Sequence, residues 1–419
     1  MQALFWVSLA VIVAVDVWVC VLFVCAVRGR RRQPAAPAEG ADAFTWVFLV
    51  PALDEELTIR DSVTRLLALP LERRHVVVVD DASGDRTPAI LAELGQPDLH
   101  VVRRVLPHAR EGKAAALNAG FQELGAILGD VDRDSVIVAV VDADGRLDPQ
   151  APAHVAAHFA EASVGGVQSL VRIYNRQRLL TWCQDVEFSV YGHLFQAGRN
   201  GWGTAGMGGN GQFNRLSALD DLASGAGPWR DRLTEDQDLG LRLIVRGWKG
   251  RQDLRATVDQ QGPSSARALL RQRTRWSQGN LQAMALIDEL AGARLAPAVR
   301  LEQVAYLLMP LWQGIIGASF LTALALMALG VAPFWDGGPS WQLLVFWVLA
   351  FGGTILGCVA ARAAEGPRGW LVGFLVGHVY VLYTWFLWPV LLRSTARQLA
   401  RRRDWSKTRR EPLGPEPAA

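Results

Sequence analysis

Along the chain, apolar and polar positions fall into three regimes. From about Leu4 to Val27 apolar residues run almost unbroken, with Asp16 the only formal charge. From Thr45 onward they come in short runs separated by polar, helix-periodic segments, and beyond about Gln303 long apolar stretches return at roughly 304–332, 341–361 and 370–392. At about 1.5 Å per helical residue the first run is long enough to cross a hydrocarbon core of about 30 Å. The pattern predicts membrane helices at both ends of the chain around a soluble middle.

In the middle, WVFLVPA, HVVVVDD, LHVVRRV and DSVIVAVVDADG read as buried strands. Between them, LDEELTIRDSVTRLLAL, SGDRTPAILAEL (with Pro88 near its first turn) and KAAALNAGFQEL read as helices. Strands alternating with helices predict an α/β fold with a mostly parallel sheet covered on both faces. The expected organisation is an N-terminal anchor and linker at 1–43, an α/β domain at 44–262, amphipathic interface helices at 263–302, a membrane region at 303–393 and a basic tail at 394–419.

Charge orients this layout. Arg28, Arg30, Arg31 and Arg32 follow the first apolar run, which predicts an uncleaved anchor with its N-terminus outside and the middle of the chain in the cytoplasm, followed by a Pro- and Ala-rich linker from Gln33 to Ala43. The loop FWDGGPSW has no Lys or Arg and suits the outside; ARAAEGPRG carries Arg362 and Arg368 and suits the inside. Three full crossings would put the tail, with Arg393, Arg397, Arg401, Arg402, Arg403, Lys407, Arg409 and Arg410, on the wrong side. One stretch is therefore expected to re-enter or lie in the interface, Pro310 and Pro389 each interrupting an apolar run. A net charge of +3 is too small to argue for a nucleic-acid partner, and basic residues beside the membrane read as topology signals and lipid contacts. The cysteines Cys20, Cys25, Cys183 and Cys358 lack metal-ligand spacing.

Ligands of parallel sheets bind at the carboxyl ends of the strands, and acids collect there: Asp54 and Glu55 after the first strand, Asp80 and Asp81 after the second, Asp142 and Asp144 after the fourth. One such Asp is usually a cap or turn former; three sets in register are harder to dismiss. Alternate residues of an extended DAD point to one side, with Gly145 allowing a tight turn beyond, so a hard divalent cation completed by phosphate oxygens is the natural partner. In LTEDQDLGLRLIVRGWKG, Thr234 is a candidate N-cap with Glu235, Asp236 and Asp238 in the first turn: either a well-capped helix or a start that projects a general base. On a helix through 267–287, Gln272 and Trp276 lie one turn apart, beside Arg271 and Arg275. Such a helix can snorkel on lipid headgroups, but arginine also grips diphosphates and an indole offers a face to a sugar ring.

Together these stretches resemble membrane-embedded family 2 glycosyltransferases of the GT-A fold, the group that holds cellulose, chitin, hyaluronan and poly-N-acetylglucosamine synthases. VPALDEE is similar to the family's nucleotide-binding first loop, with Leu53 and Asp54 where Tyr and Asn are commoner; the resemblance implies nucleotide contacts from Pro51, Glu55, Asp80, Lys113 (in GKAAALN) and Asp142. DADG matches the metal and diphosphate motif, with Asp144 implied as ligand of Mg²⁺ or Mn²⁺. TED matches the motif whose last acid, Asp236, acts as base, and QRTRW the QxxRW motif, so Glu235, Gln272, Arg275 and Trp276 are implied near diphosphate and acceptor. GGNGQFNRLSALDDL sits where the family has a loop near the acceptor, which makes Asn210, Gln212 and Phe213 candidate acceptor contacts.

The function implied is inverting, metal-dependent transfer from a nucleotide diphosphate sugar, UDP-linked by expectation, to a growing polysaccharide at the cytoplasmic side of the plasma membrane, forming β-linkages. The alternatives are single addition to a lipid acceptor and, from another class, a nucleotide-sugar-binding subunit of a glycan exporter. Expected partners are the donor, a glycan or lipid acceptor, the membrane, and an export partner or second copy, with no nucleic acid.

Overall fold

Residues 2–30, 34, 40–331, 341–402 and 410–412 are described by the structure, a computed structural model. Most of the linker, Arg31 and Arg32, nearly all of FWDGGPSW, and Arg403, Lys407 and Arg409 of the tail lie outside the described residues.

β1 (Thr45–Ala52) and β2 (Arg74–Asp81) run parallel, with Trp46 opposite Arg74 and Ala52 opposite Asp80. Successive strand residues face opposite sides, and here both sides are covered. Trp46, Phe48 and Val50 join Val76 and Val78 in one core; Val47 and Leu49 join Val77 and Val79 in a second, beneath the helix Lys113–Leu128. Their middles, residues 46–50 and 76–79, are therefore apolar at every position rather than every second one. The helix lies close: a methyl group at Gly120 would come within 2.4 Å of Leu49 Cδ1 and 2.8 Å of Val79 Cγ2.

β3 (Leu99–Arg104) flanks β2 and β4 (Val136–Val140) flanks β1, all parallel. With β5 (Arg146–Leu147), β6 (Val164–Ile173), β7 (Gln212–Arg215) and β8 (Lys249–Gln260) they form one eight-stranded sheet, ordered β3-β2-β1-β4-β7-β6-β8-β5. β7 is antiparallel to both β4 and β6, so the sheet is mixed but mostly parallel.

Three elements depart from expectation. The first helix covers only Ile59–Leu67, because residues 53–58 form a loop whose amides are taken by a neighbouring loop: Asp54 N–H donates to Ser83 Oγ, Glu55 N–H to Thr87 Oγ1 and Glu56 N–H to Asp85 Oδ2. The helix bearing QRTRW covers Ala266–Ala283, capped by Ser265, and gives way to a short 3₁₀ turn. GGNGQFNRLSALDDL is not an acceptor loop along its length. It contains β7 and the helix Leu216–Leu222, and Phe213 is fully buried, edge-on to Trp46 with ring centroids 6.1 Å apart. Gln212, next to it on the strand, is also buried. An aromatic in a central strand fills the core, so the expectation that Phe213 touches the acceptor is corrected, while Gln212 keeps both side-chain amide atoms without hydrogen-bond partners among the described residues.

Among the described residues three segments are long and apolar enough to cross a membrane: Trp6–Arg30, Met309–Ala328 and Leu344–Leu399. The last runs through helices Trp341–Arg362, Gly366–Phe386 and Trp388–Leu399. Both prolines sit in the first turn of a helix, Pro310 after a break at Leu308 and Pro389 after one at Leu387, where a missing N–H costs nothing. The helix Trp388–Leu399 returns along Ala266–Ala283, with Ser394 and Ser277 hydroxyls 2.8 Å apart and Arg397 Nε donating to Gln278 Oε1 at 3.1 Å. The buried Arg199 joins domain to membrane helices: it lies 2.8 Å from Glu302 Oε1 and 3.8 Å from the centre of the Tyr306 ring, with Trp18 at 5.6 Å.

Truncation of Phe213 to alanine is expected to cost about 3–5 kcal/mol through the cavity it leaves, whereas Phe213→Leu should lower the melting temperature modestly and leave the acceptor KM unchanged. A selective rise in that KM without loss of stability would restore Phe213 to the acceptor site.

Candidate active site

Because β1, β2 and β4 run parallel, their carboxyl ends open on one edge of the sheet, and the acids that follow them meet in one cleft. At the end of β2, Asp80 is buried; its Oδ1 accepts the Ser83 N–H at 2.9 Å, while Oδ2 accepts no hydrogen bond among the described residues. Asp54 adopts a left-handed backbone at φ 52°, and its Oδ1 accepts the Gly84 N–H at 2.7 Å, so the first two loops lock together. Pro51 is the penultimate residue of β1, and Glu55 is buried in the loop beyond, its carboxylate accepting the Thr58 hydroxyl at 3.3 Å.

Lys113, the first residue of its helix, ties distant motifs together. Its Nζ lies 2.6 Å from Asp142 Oδ1 and 3.7 Å from Glu235 Oε1. Burial alone would lower the ammonium's pKa, but Asp142 and Glu235 raise it overall. Burial pushes Asp142 up, and Lys113 and Arg410 more than reverse it, holding its carboxyl below the usual range. Asp144 differs: burial keeps its pKa raised despite Arg410. Asp144 Oδ2 accepts the Gln261 N–H at 3.1 Å; Oδ1, buried, accepts no hydrogen bond among the described residues, although Arg410 Nη2 lies 2.8 Å away in ionic contact.

Asn210 stands behind the DAD turn. Its Oδ1 accepts the Asp142 N–H at 3.0 Å and its Nδ2 donates to Gln260 Oε1 at 2.9 Å. With 3% of its surface exposed, Asn210 is buried behind the turn that it holds, which corrects the acceptor contact expected of it.

On the facing helix Glu235–Val245, burial pushes Glu235 up to about 7 against the pull of Lys113, and raises Asp236 likewise. Thr234 occupies the N-cap position without making the side-chain cap bond expected of it. Asp236 Oδ1 accepts the Gln237 N–H at 2.8 Å. Gly209, at φ 81°, brushes this acid: a methyl group there would sit 2.8 Å from Asp236 Oδ2 and 3.4 Å from Lys113 Nζ.

The QRTRW residues divide into two groups. Burial lowers the pKa of the Arg275 guanidinium while Glu235, Asp142 and Asp236 act to raise it, so Arg275 belongs to the acidic cleft. Arg273 turns away, Nη2 2.6 Å from Glu187 Oε2 and the guanidinium 4.1 Å from the centre of the Trp276 ring. Trp276 is edge-on to Phe188 at 6.1 Å, and Gln272 Oε1 accepts from Arg273 Nη1 at 2.8 Å. Sequence reasoning missed Gln261 and Arg410. Gln261 had no signal, and Arg410 was one basic residue among many in a tail read as lipid contact.

Two cavities lie on the membrane side. A polar one of about 50 Å³ is lined by Gln237, Asn280, Tyr306, Met309 and Gln313. An apolar one of about 300 Å³, between the helices Gln2–Arg30 and Met309–Ala328, is lined by Ala10, Ala14, Trp18, Met309 and Trp312. Met309 lines both, and Gln237 is the neighbour of Asp236.

An acid-lined cleft at the carboxyl edge of a mostly parallel sheet is an arrangement that GT-A glycosyltransferases share. The family described as glycosyltransferase like family 2 matches residues 45–279, more than half of the chain, and the protein belongs to that family of enzymes. It is 35% identical over 261 residues to a β-monoglucosyldiacylglycerol synthase of Synechocystis sp., covering 60% of this chain and 52% of that one. It is 26% identical over 252 residues to a poly-β-1,6-N-acetyl-D-glucosamine synthase of Staphylococcus aureus, covering 59% and 57%. The chain thus matches about half the length of these relatives. Among solved structures, a mannosyltransferase from Pyrobaculum calidifontis in complex with GDP-Man and Mn²⁺ matches 94% of this chain and 99% of its own, with a TM-score of 0.58 at 18% identity, a likeness of fold.

Glu235 gives a pH signature in the nucleotide-free protein. Its folded pKa is raised from 4.5 to about 7, so its contribution to stability is complete below about pH 4.5 and is lost as pH rises through about 7. Melting temperatures taken across that window should fall less for Glu235→Gln than for the wild type; parallel profiles would contradict the burial of this carboxyl.

Proposed function

We propose that the protein transfers a sugar, with inversion, from a nucleotide diphosphate sugar to a hydroxyl of a lipid acceptor at the cytoplasmic face of the plasma membrane. The observation that carries the lipid is the pair of cavities that share Met309 in their linings: an apolar space between two membrane helices and a polar one walled by Gln237, the neighbour of Asp236. An acyl chain fits the first and a polar headgroup the second. Greater identity to a synthase of glucosyldiacylglycerol than to one of poly-N-acetylglucosamine supports the same reading. Growth of a polysaccharide is the second reading, supported by likeness to the latter enzyme.

In this reading Asp80, Glu55 and Pro51 line the nucleotide side. Lys113 and Arg275 face the departing diphosphate, where fixed cations stabilise charge that grows as the sugar leaves. Asp236 accepts the proton of the acceptor hydroxyl. Its raised pKa brings it closer to neutrality, which suits a general base, and attack opposite the leaving group inverts the anomeric carbon. Glu235 and Gln237 flank that base; Trp276 and Gln272 brace the helix beneath.

The family is expected to use a divalent cation, and the residues present fit one. Among the described residues no three His, Cys, Asp or Glu side chains form a ready cage, but Asp144 offers a buried carboxylate oxygen without a hydrogen bond. Asp144 would hold Mg²⁺ or Mn²⁺ with donor phosphate oxygens completing the shell. When bound, the ion supplies Lewis-acid stabilisation of the leaving diphosphate.

The test is transfer by protein reconstituted in vesicles with labelled UDP- and GDP-sugars and diacylglycerol, followed by partition of the product. Label in the organic phase as a single added sugar is expected, and a sized aqueous polymer would favour the second reading. Ala14→Trp, which fills the apolar cavity, should raise the lipid KM about tenfold and spare nucleotide binding. Asp236→Asn should retain nucleotide while turnover falls at least about a hundredfold; surviving turnover would remove Asp236 from its role.

A further inference from the structure

The C-terminal segment does something the family reading does not require. Residues 410–412 lie against the end of β8, where Gln261 grips the backbone of Glu411 on both sides: the Glu411 N–H donates to Gln261 Oε1 at 2.7 Å, and Gln261 Nε2 donates to the Glu411 carbonyl at 3.0 Å. The Ser264 hydroxyl meets the Glu411 carboxylate. The backbone N–H of the same Gln261 is the donor that fixes Asp144 Oδ2. The tail and the candidate metal carboxylate are thus held by one residue.

From that mooring Arg410 reaches into the cleft. Its Nη2 lies 2.8 Å from Asp144 Oδ1 and its Nε 3.8 Å from Glu55 Oε2, and only 17% of its side chain is exposed. A surface tail does not bury a guanidinium without a local excess of negative charge. Here Asp144, Glu55 and Asp142 supply it. The contact is ionic rather than a formed hydrogen bond, because neither Asp144 Oδ1 nor Arg410 Nε has a hydrogen-bond partner among the described residues. An interaction of that kind is readily exchanged for a stronger one.

We infer that Arg410 is a donor-site residue supplied by the C-terminal tail, which neutralises Asp144 while the site lacks donor and passes to the diphosphate when a divalent cation takes Asp144. The inference rests on the reading of Asp144 as the metal ligand. Arg410 Nη2 occupies the approach to Asp144 Oδ1, so an incoming divalent ion competes with the guanidinium for that oxygen and, carrying the higher charge, displaces it. The displaced side chain does not leave, since the Gln261 and Ser264 contacts hold Glu411 and not Arg410. It remains tethered within one side chain's length of the new anion, and arginine pairs with phosphate oxygens in a bidentate fork. The ion and the diphosphate should consequently bind together better than either alone.

The experiment uses the full-length protein in detergent and two titrations: Mn²⁺ alone, by loss of the free-ion electron paramagnetic signal, and UDP (or GDP) at saturating Mn²⁺, by calorimetry. Wild type, Arg410→Gln and Arg410→Lys are compared. With Arg410→Gln, Mn²⁺ alone should bind several-fold more tightly and the nucleotide about tenfold more weakly; Arg410→Lys, a cation without the fork, should lie between. If Mn²⁺ tightens and the nucleotide tightens too, the tail only obstructs the site and the transfer to diphosphate is refuted. If neither titration moves, Arg410 is a passenger and the inference falls. If the wild type itself shows no Mn²⁺-dependent nucleotide binding, the reading of Asp144 fails first and takes the inference with it.

Discussion

The cleft depends on the ion pair between Lys113 and Asp142, 2.6 Å apart. A parallel sheet gathers the residues after its strands on one edge, and in this chain those residues are acids; without a cation their mutual repulsion would oppose the fold. Lys113 supplies the cation from an awkward place. It is the first residue of the helix Lys113–Leu128, where the helix dipole disfavours positive charge. Asp142 on one side and Glu235 on the other outweigh that penalty. One ammonium thereby joins the turn after β4 to the start of the facing helix, stretches that share no neighbouring strand.

The membrane side is organised by a second buried cation. Arg199 pairs with Glu302 and lies against the rings of Tyr306 and Trp18. Burying an arginine is tolerable only when it is paired and surrounded, and the surroundings come from the first membrane helix and from the helix that precedes Met309. The same Tyr306 lines the polar cavity, and its hydroxyl lies 3.2 Å from that of Tyr191 and accepts from Gln237 Nε2 at 3.4 Å. The packing that fixes the domain against the membrane helices therefore also shapes the space beside Asp236.

Legibility in the sequence followed the range of the interactions. β1, β2 and β4 were readable because burial on both faces makes their middles continuously apolar, and Asp80, Asp142 and Asp144 because strand ends are local features. The loop at 53–58 was misread as helix because its amides are satisfied by side chains about thirty residues away. Phe213 and Asn210 were placed near the acceptor by their glycine-rich context. Phe213 fills the core and Asn210 bonds to Asp142 and Gln260, partners that no local pattern announces. Arg275 and Arg273, two positions apart, point to different partners, a split that helical spacing permits but does not assign.

Asp142 and Asp144 carry the same functional group two residues apart, yet their hydrogen bonds make them unequal. Asp142 spends Oδ1 on Lys113, and its backbone N–H is held by Asn210, so it belongs to the framework. Asp144 spends Oδ2 on Gln261 and leaves Oδ1 without a donor, buried and opposed by a cation it does not hydrogen-bond. An incoming divalent ion would have to break an ion pair that is also a hydrogen bond to use the first carboxylate, and an ion pair without one to use the second. The DAD segment is a turn rather than the extended run its alternation suggested, closed by the Gly145 N–H on the Asp142 carbonyl at 2.7 Å, and the difference between its two acids is made by the residues behind: a lysine from one helix, an asparagine from the loop before β7, and a glutamine just past the end of β8.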